Sequence, residues 1–246
     1  MCLGKSAKNI GTLFSYETGA MLAEQNLTEK LRRLLKDAKI VATPMPLTPE
    51  IRLYLLSHDY PQEALTDEER RVLMEEPPFW AFCWSSGQVL AKWIRDFREN
   101  FSEKRILDFG SGSGIAAIAA ALSGASEVVA LDTDPLAREA ILANAALNSV
   151  IIAAADNLDL VKDDFDVILA ADILYDRNNF QLLNIFTERA KRVVVADSRV
   201  KELSEPYAKI GYGMAITCPD LDEPEEYQHV GIFTSLKSRF TADALI

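Results

Sequence analysis

The sequence is poor in cysteine and histidine, and it has no long apolar run. Three cysteines, Cys2, Cys83 and Cys218, stand far apart, no C-x-x-C pair occurs, and there are two histidines. That set is too sparse for a Cys/His zinc centre, so no metal is expected. An odd, scattered set of thiols suits a reducing compartment better than a disulfide framework. No stretch approaches the ~18 apolar residues of a membrane span. The opening Met1-Cys2-Leu3-Gly4-Lys5 lacks the apolar segment of a secretory signal. The expectation is a cytoplasmic protein with no membrane partner. Positive charge is scarce too: 26 Lys and Arg face 37 Asp and Glu, for a net charge of −11. Non-specific nucleic-acid binding relies on basic residues displacing counterions from phosphate, so no nucleic-acid partner is expected.

What is present is an ordinary globular composition. The 246 residues are 49% apolar and 26% charged, enough to bury a core without covalent staples. There is no internal repeat and no low-complexity tract, and nothing signals an oligomeric state. Basic residues concentrate at the start, with seven against four acidic ones in the first forty. A solvated amphipathic helix is expected around residues 28–39. Pro44, Pro46 and Pro49 mark a loop. Thr48 as N-cap and Pro49 in the first turn then predict a short helix carrying Ile51, Leu53, Leu55 and Leu56. Thr66 and Glu69 have the spacing of a capping box before another helix, stopped by Pro77-Pro78. Residues 1–77 are therefore expected as an N-terminal helical extension, and 78–246 as the main domain.

From residue 105 short β-branched runs alternate with helical segments. Strands are expected at 105–109, 127–131, 150–155, 166–170 and 192–196, with helices at 115–122, 135–148 and 179–190. Continuous apolar strands separated by helices imply a buried parallel sheet. Two late strands, 213–217 and 230–236, have no helix between them and predict an antiparallel hairpin at the sheet edge. The expected fold class is α/β, doubly wound and mostly parallel, with an antiparallel C-terminal hairpin.

The segment Asp108-Phe109-Gly110-Ser111-Gly112-Ser113-Gly114 joins a strand to a helix. Alternate glycines let a backbone turn sharply and approach a ligand, at the strand end where open α/β sheets bind. Asp132 closes the next strand, 20 residues after Gly112, where a carboxylate can accept both hydroxyls of a ribose. Gly112, Gly114 and Ala117 with Asp132 also fit the dinucleotide fingerprint, which keeps an NAD-dependent oxidoreductase open. Asp108 argues against it. At the pocket mouth its charge would repel a pyrophosphate and favour a cation such as the amino group of S-adenosylmethionine. Asp156 and Asn157, after the third strand, are candidates to accept from an adenine amine, or to cap a turn.

The run from Asp108 to Gly114, the strand-end Asp132 and the closing hairpin resemble the class I, seven-stranded S-adenosylmethionine-dependent methyltransferases. Residues 78–91, Pro-Phe-Trp-Ala-Phe-Cys-Trp-Ser-Ser-Gly-Gln-Val-Leu-Ala, and Asp172-Ile173-Leu174-Tyr175 narrow the resemblance. They are similar to protein-lysine methyltransferases, in the branch acting on the electron-transfer-flavoprotein β-subunit. Bacterial members of that branch are often described as nicotinamide N-methyltransferase-like. The resemblance spans residues 48–236. It implies a cofactor site of Trp84, Asp108, Gly110, Ser111, Gly112, Gly114, Asp132, Asp156, Asn157 and Ala171, with Gln88 within reach. S-adenosylmethionine would be the cofactor, and S-adenosylhomocysteine the product. It implies Asp172 and Tyr175 as catalytic residues, Asp172 orienting the acceptor amine and Tyr175 walling its channel. The partner would be a protein with an accessible lysine, or, alternatively, a small nicotinamide-like amine. Phe79, Trp80 and Phe82 are expected in the core. Two departures from the branch bear on the substrate. Ser85-Ser86-Gly87 follows Trp84 where Pro-Gly-Gly is usual, and Asp197-Ser198-Arg199 stands where Asp-Pro-Gly-Arg is usual.

Overall fold

The computed structural model describes residues 19, 21–61, 65–161 and 164–235. Cys2, Lys5 and Lys8 lie outside the described residues, as does Leu236. Strands β3 (Arg105–Phe109), β4 (Glu127–Leu131), β5 (Ala153–Ala155), β6 (Phe165–Ala171) and β7 (Ala190–Asp197) pair in parallel. Strands β8 (Tyr207–Met214) and β9 (His229–Ser235) close the sheet antiparallel. The order β5-β4-β3-β6-β7-β9-β8 confirms the expected doubly wound, seven-stranded sheet. The chain winds outward from β3 through β4 to β5, then returns to β6 on β3's other side. The crevice beyond the carboxyl ends of β3 and β6 is thus a topological switch point, where open α/β sheets hold ligands.

Helices cover both faces. The amphipathic α3 (Ser85–Asp96) buries Val89, Leu90 and Ile94 with α4 (Ile115–Leu122) on one face. On the other, α6 (Leu182–Arg189) sets Leu183 and Phe186 against Leu107, Ile168 and Val195. α5 (Pro135–Leu147) begins as expected, with Pro135 at its start and the Asp134 carboxylate accepting from Leu136 N at 2.8 Å. β8 starts earlier than its apolar pattern suggested. Its glycines hid it: a Cβ at Gly211 would lie 2.8 Å from the Trp93 ring, and one at Gly213 2.7 Å from Val89. Strand β5 is shorter than expected, because Val150 N is already bonded to Ala145 O at the end of α5. The helix expected over 179–190 opens instead as a 3₁₀ turn, Arg177–Gln181, and α6 proper follows.

The N-terminal part departs most from expectation. The helix placed after Pro49 is a strand: β1 (Ile40–Pro44) and β2 (Arg52–Leu56) form an antiparallel hairpin. The run from Leu53 to Leu56 is buried on both sides, with Leu53 and Leu55 in the main core and Tyr54 and Leu56 in a second cluster. That two-sided burial removed the alternation that identifies a strand. Asn144 of α5 and Asn148, the C-cap of that helix, pair with the free edge of β2. Asn144 Oδ1 accepts from Tyr54 N at 2.7 Å, and Asn148 Oδ1 from Arg52 N at 2.9 Å. The helix expected over 28–39 lies earlier. α1, described over residues 21–31, ends in turns, and Leu27, Leu31 and Leu35 are buried rather than solvated. The capping box at Thr66 does open α2 (Asp67–Glu75), with Glu69 N bonded to Thr66 Oγ1. Lys30 pairs with Glu139 and fastens α1 to α5. Among the described residues no helix is long and apolar enough to cross a membrane, and no His/Cys/Asp/Glu group could hold a metal.

Candidate active site

The glycine loop has the backbone its composition called for. Gly110, Gly112 and Gly114 have φ of +66°, +53° and +85°. Gly110 is the tightest, since a Cβ there would lie 2.9 Å from Ile173 Cγ2, whereas one at Gly112 meets nothing within 4 Å. Gly110→Ala is therefore expected to lower stability by about 2–3 kcal/mol and Gly112→Ala by about 1. Thermal unfolding of the two variants checks the ranking.

Asp108 does not stand at the pocket mouth. Its side chain shares the α4 face with Ile106 and is 2% exposed. Oδ2 accepts from Ser111 Oγ at 2.6 Å and from Ala117 N at 3.1 Å. Burial pushes its pKa up to about 7, against those two hydrogen bonds. Asp108 and Ser111 thus brace the loop and the first turn of α4 from behind. Strand alternation decides this: Asp108 points to the α4 face, and its neighbour Phe109, the last residue of β3, lines the cleft instead. Asp108 is therefore not placed to select a cationic ligand by contact at the cleft mouth, contrary to expectation.

A cleft of about 450 Å³ opens at the switch point, and Trp84, Gly110, Gly112, Asp132, Ala171, Asp172 and Tyr175 line it together. Asp132 Oδ2 accepts from Gly112 N at 2.8 Å and Oδ1 from Asp134 N at 3.0 Å. Burial raises its pKa above the carboxylate range. Each oxygen keeps a lone pair free, which matches two ribose hydroxyls. Gly114 forms the loop but not the cleft wall. Asp156 and Asn157 are exposed away from it, and Asn157 Oδ1 accepts from Asp159 N at 2.9 Å as a turn cap. Gln88 is also turned away, donating to Cys83 O and Ile216 O.

On the opposite wall, Asp172 follows β6 with φ +50°. Its Oδ1 accepts from Ser86 Oγ at 2.6 Å and Ser198 Oγ at 3.0 Å. The two departures from the branch pattern, after Trp84 and after Asp197, therefore meet on one carboxylate. Burial raises the Asp172 pKa, the serine hydroxyls oppose that, and Asp197 adds to it. Phe79 is no core residue. It is 41% exposed at the rim, its ring 5.8 Å from those of both Trp84 and Tyr175. Trp80 is fully buried, as expected, yet contributes to the cleft wall. Thr133, Ile173, Asn179 and Arg199 also line the cleft and were not anticipated. Arg199 had a readable signal, lying two residues beyond a strand-end aspartate, and its guanidinium stacks on Tyr227 at 4.2 Å. Asn179 had none, because it arrives through the 3₁₀ turn, donating to Ile173 O at 2.8 Å.

Residues 88–200 match the model of the ribosomal protein L11 methyltransferase (PrmA) family. The electron transfer flavoprotein beta subunit lysine methyltransferase of Mus musculus is 31% identical over 223 residues, 85% of this chain and 84% of the mouse protein. A ribosomal protein L11 methyltransferase from Syntrophotalea carbinolica is 35% identical over 67% of this chain and 56% of that protein. The magnesium protoporphyrin IX methyltransferase of Synechocystis, crystallised with bound SAM, shares the fold with a TM-score of 0.50 at 11% identity. The match covers 89% of this chain and 97% of that one. A relative matched over most of both chains, with the glycine loop, Asp132 and Asp172 gathered around one cleft, leads to one conclusion: the chain is an S-adenosylmethionine-dependent methyltransferase and belongs to the family of the electron transfer flavoprotein beta subunit lysine methyltransferases.

Proposed function

We propose that the enzyme methylates the side-chain amine of lysine on a protein. The observation that carries this reading is the placement of Asp172 and Tyr175 on one wall of the cleft whose other wall is the glycine loop and Asp132. The named relatives support a protein acceptor: both the lysine methyltransferases and the L11 methyltransferases are named for protein substrates.

The residues present fit the cofactor. Asp132 has lone pairs for two ribose hydroxyls, Gly112 leaves open space where a Cβ would stand, and Asp132, Asp134 and Asp172 outnumber Arg199 on the wall, as suits a cation. S-adenosylmethionine supplies a methyl group already activated on a cationic sulfur. What this chain must add is alignment and an unprotonated nitrogen. A free lysine, with pKa about 10.4, needs roughly 4.6 kcal/mol to present a neutral amine at pH 7. The rim of Phe79, Trp84 and Tyr175 strips water from the incoming amine, which disfavours its charged form. Asp172 accepts an N–H of that amine and points its lone pair across the cleft. Its raised pKa makes it a stronger acceptor than an exposed carboxylate.

Incubation with methyl-labelled cofactor and a cell lysate tests the reading. The expected result is label on protein, located on lysine by mass spectrometry. Label confined to the low-mass fraction would instead assign a small-molecule amine.

A further inference from the structure

The two oxygens of Asp172 are held unequally. Oδ1 accepts from Ser86 Oγ at 2.6 Å, Ser198 Oγ at 3.0 Å and Ser198 N at 3.4 Å. Among the described residues Oδ2 accepts only from Ser86 N, at 3.3 Å. Both serines are buried. Ser86 lies in the first turn of α3, whose N–H groups lack partners within the helix. Ser198 follows β7, across the carboxyl ends of the strands. The clamp therefore joins elements more than a hundred residues apart at one carboxylate.

We propose that Ser86 and Ser198 are positioning residues that fix one oxygen of Asp172 and keep the carboxylate ionised, leaving the other oxygen to receive the substrate amine. The proposal rests on the reading of Asp172 as the amine acceptor. The reason for the clamp lies in what surrounds it. Asp197 at the end of β7 is a like charge that favours a protonated Asp172. Cys83, just before α3, is pushed well up by burial, so it stays a neutral thiol and adds no further negative charge. Tyr175, also raised by burial, stays neutral, and Arg199, the one Lys or Arg on the cleft wall among the described residues, stacks on Tyr227. Neutral Asp172 would donate rather than accept on one oxygen, and a carboxylate free to rotate would not present a fixed lone pair. Two hydroxyls and a helix N-terminus counter both problems at once, because hydrogen bonds to the charged form favour it.

The test compares Ser86→Ala, Ser198→Ala, the double variant and Asp172→Asn. One readout is the carboxyl titration of Asp172 by ¹³C NMR on aspartate-labelled enzyme, its resonance assigned with Asp172→Asn. The other is methyl transfer to purified electron transfer flavoprotein β-subunit across pH. In each alanine variant the Asp172 midpoint is expected to move to higher pH, carrying the acid limb of kcat/KM with it, and further in the double variant. Turnover at pH 7 is expected to fall about tenfold per hydroxyl, with S-adenosylhomocysteine affinity unchanged. In the Asp172→Asn background neither serine change should lower the rate further. An unmoved NMR midpoint in Ser198→Ala, or in Ser86→Ala, overturns the clamp while leaving the role of Asp172 intact. An active Asp172→Asn enzyme overturns the role itself. Should one alanine variant fail to fold, the other carries the same titration.

Discussion

Asp172→Asn is expected to lower kcat by roughly two to four orders of magnitude while the fold and the affinity for S-adenosylhomocysteine are retained. The geometry argues for this separation. The carboxylate is gripped by Ser86 and Ser198, and a serine hydroxyl can turn to accept from an amide NH₂ as readily as it donates to a carboxylate. Asparagine therefore keeps the packing and loses the charge. What it cannot do is accept with both oxygens. The pH dependence separates the two states further. Burial and Asp197 hold the Asp172 pKa above the ordinary carboxylate range. Wild-type activity should thus fall as pH drops through that raised pKa, and the residual activity of the asparagine variant should lack that limb. Steady-state kinetics between pH 5 and 9, with calorimetry for cofactor affinity, decide the matter. A variant within threefold of wild type at neutral pH would remove Asp172 from the chemistry.

The second large effect concerns stability. Asp108→Ala strips the acceptor from the buried Ser111 hydroxyl and from Ala117 N. Each orphaned donor costs about 1–3 kcal/mol, so the variant should lose about 2–6 kcal/mol and with it the ordered glycine loop. Asp108→Asn retains a carbonyl oxygen for both donors and should be far milder. The pH dependence has a definite sign. The folded pKa of about 7 lies above the ordinary aspartate value of 3.8, so between those pH values the folded state holds a proton the unfolded chain has released. Stability from this group is complete below the lower value and declines as pH rises through the upper one. Wild type should therefore lose several kcal/mol relative to Asp108→Asn between about pH 4 and 8. Denaturant unfolding at a series of pH values measures the difference, and parallel curves would show that Asp108 is ionised throughout.

Where the sequence led correctly, the signal was local. The glycines of the loop, Pro135 behind Asp134, and the apolar runs of β3, β4, β6 and β7 all act within a few residues. The same holds for the amphipathic stripe of α3. Where it misled, a distant partner had replaced the local rule. Leu53 to Leu56 read as a helix because Thr48 and Pro49 have the pattern of a helix start, whereas both faces of β2 are buried and the groups that complete its edge come from Asn144 on α5 and Asn148 just beyond it. β8 was masked by Gly211 and Gly213, which are small because α3 presses on the sheet there.

The sequence by itself determined that this chain forms a parallel α/β sheet with a ligand loop after its first strand. It also determined that a carboxylate would end each of β4, β6 and β7, or directly follow it. Those features depend on backbone freedom, periodicity and residue order. Only the tertiary structure decided which carboxylates share the cleft. It turned Asp108 behind the loop to hold α4 and left Asp132 with free lone pairs. It placed Ser86 and Ser198 together on Asp172. The physical reason is that a side chain's role is set by the face of the sheet it occupies and by donors that arrive from far along the chain.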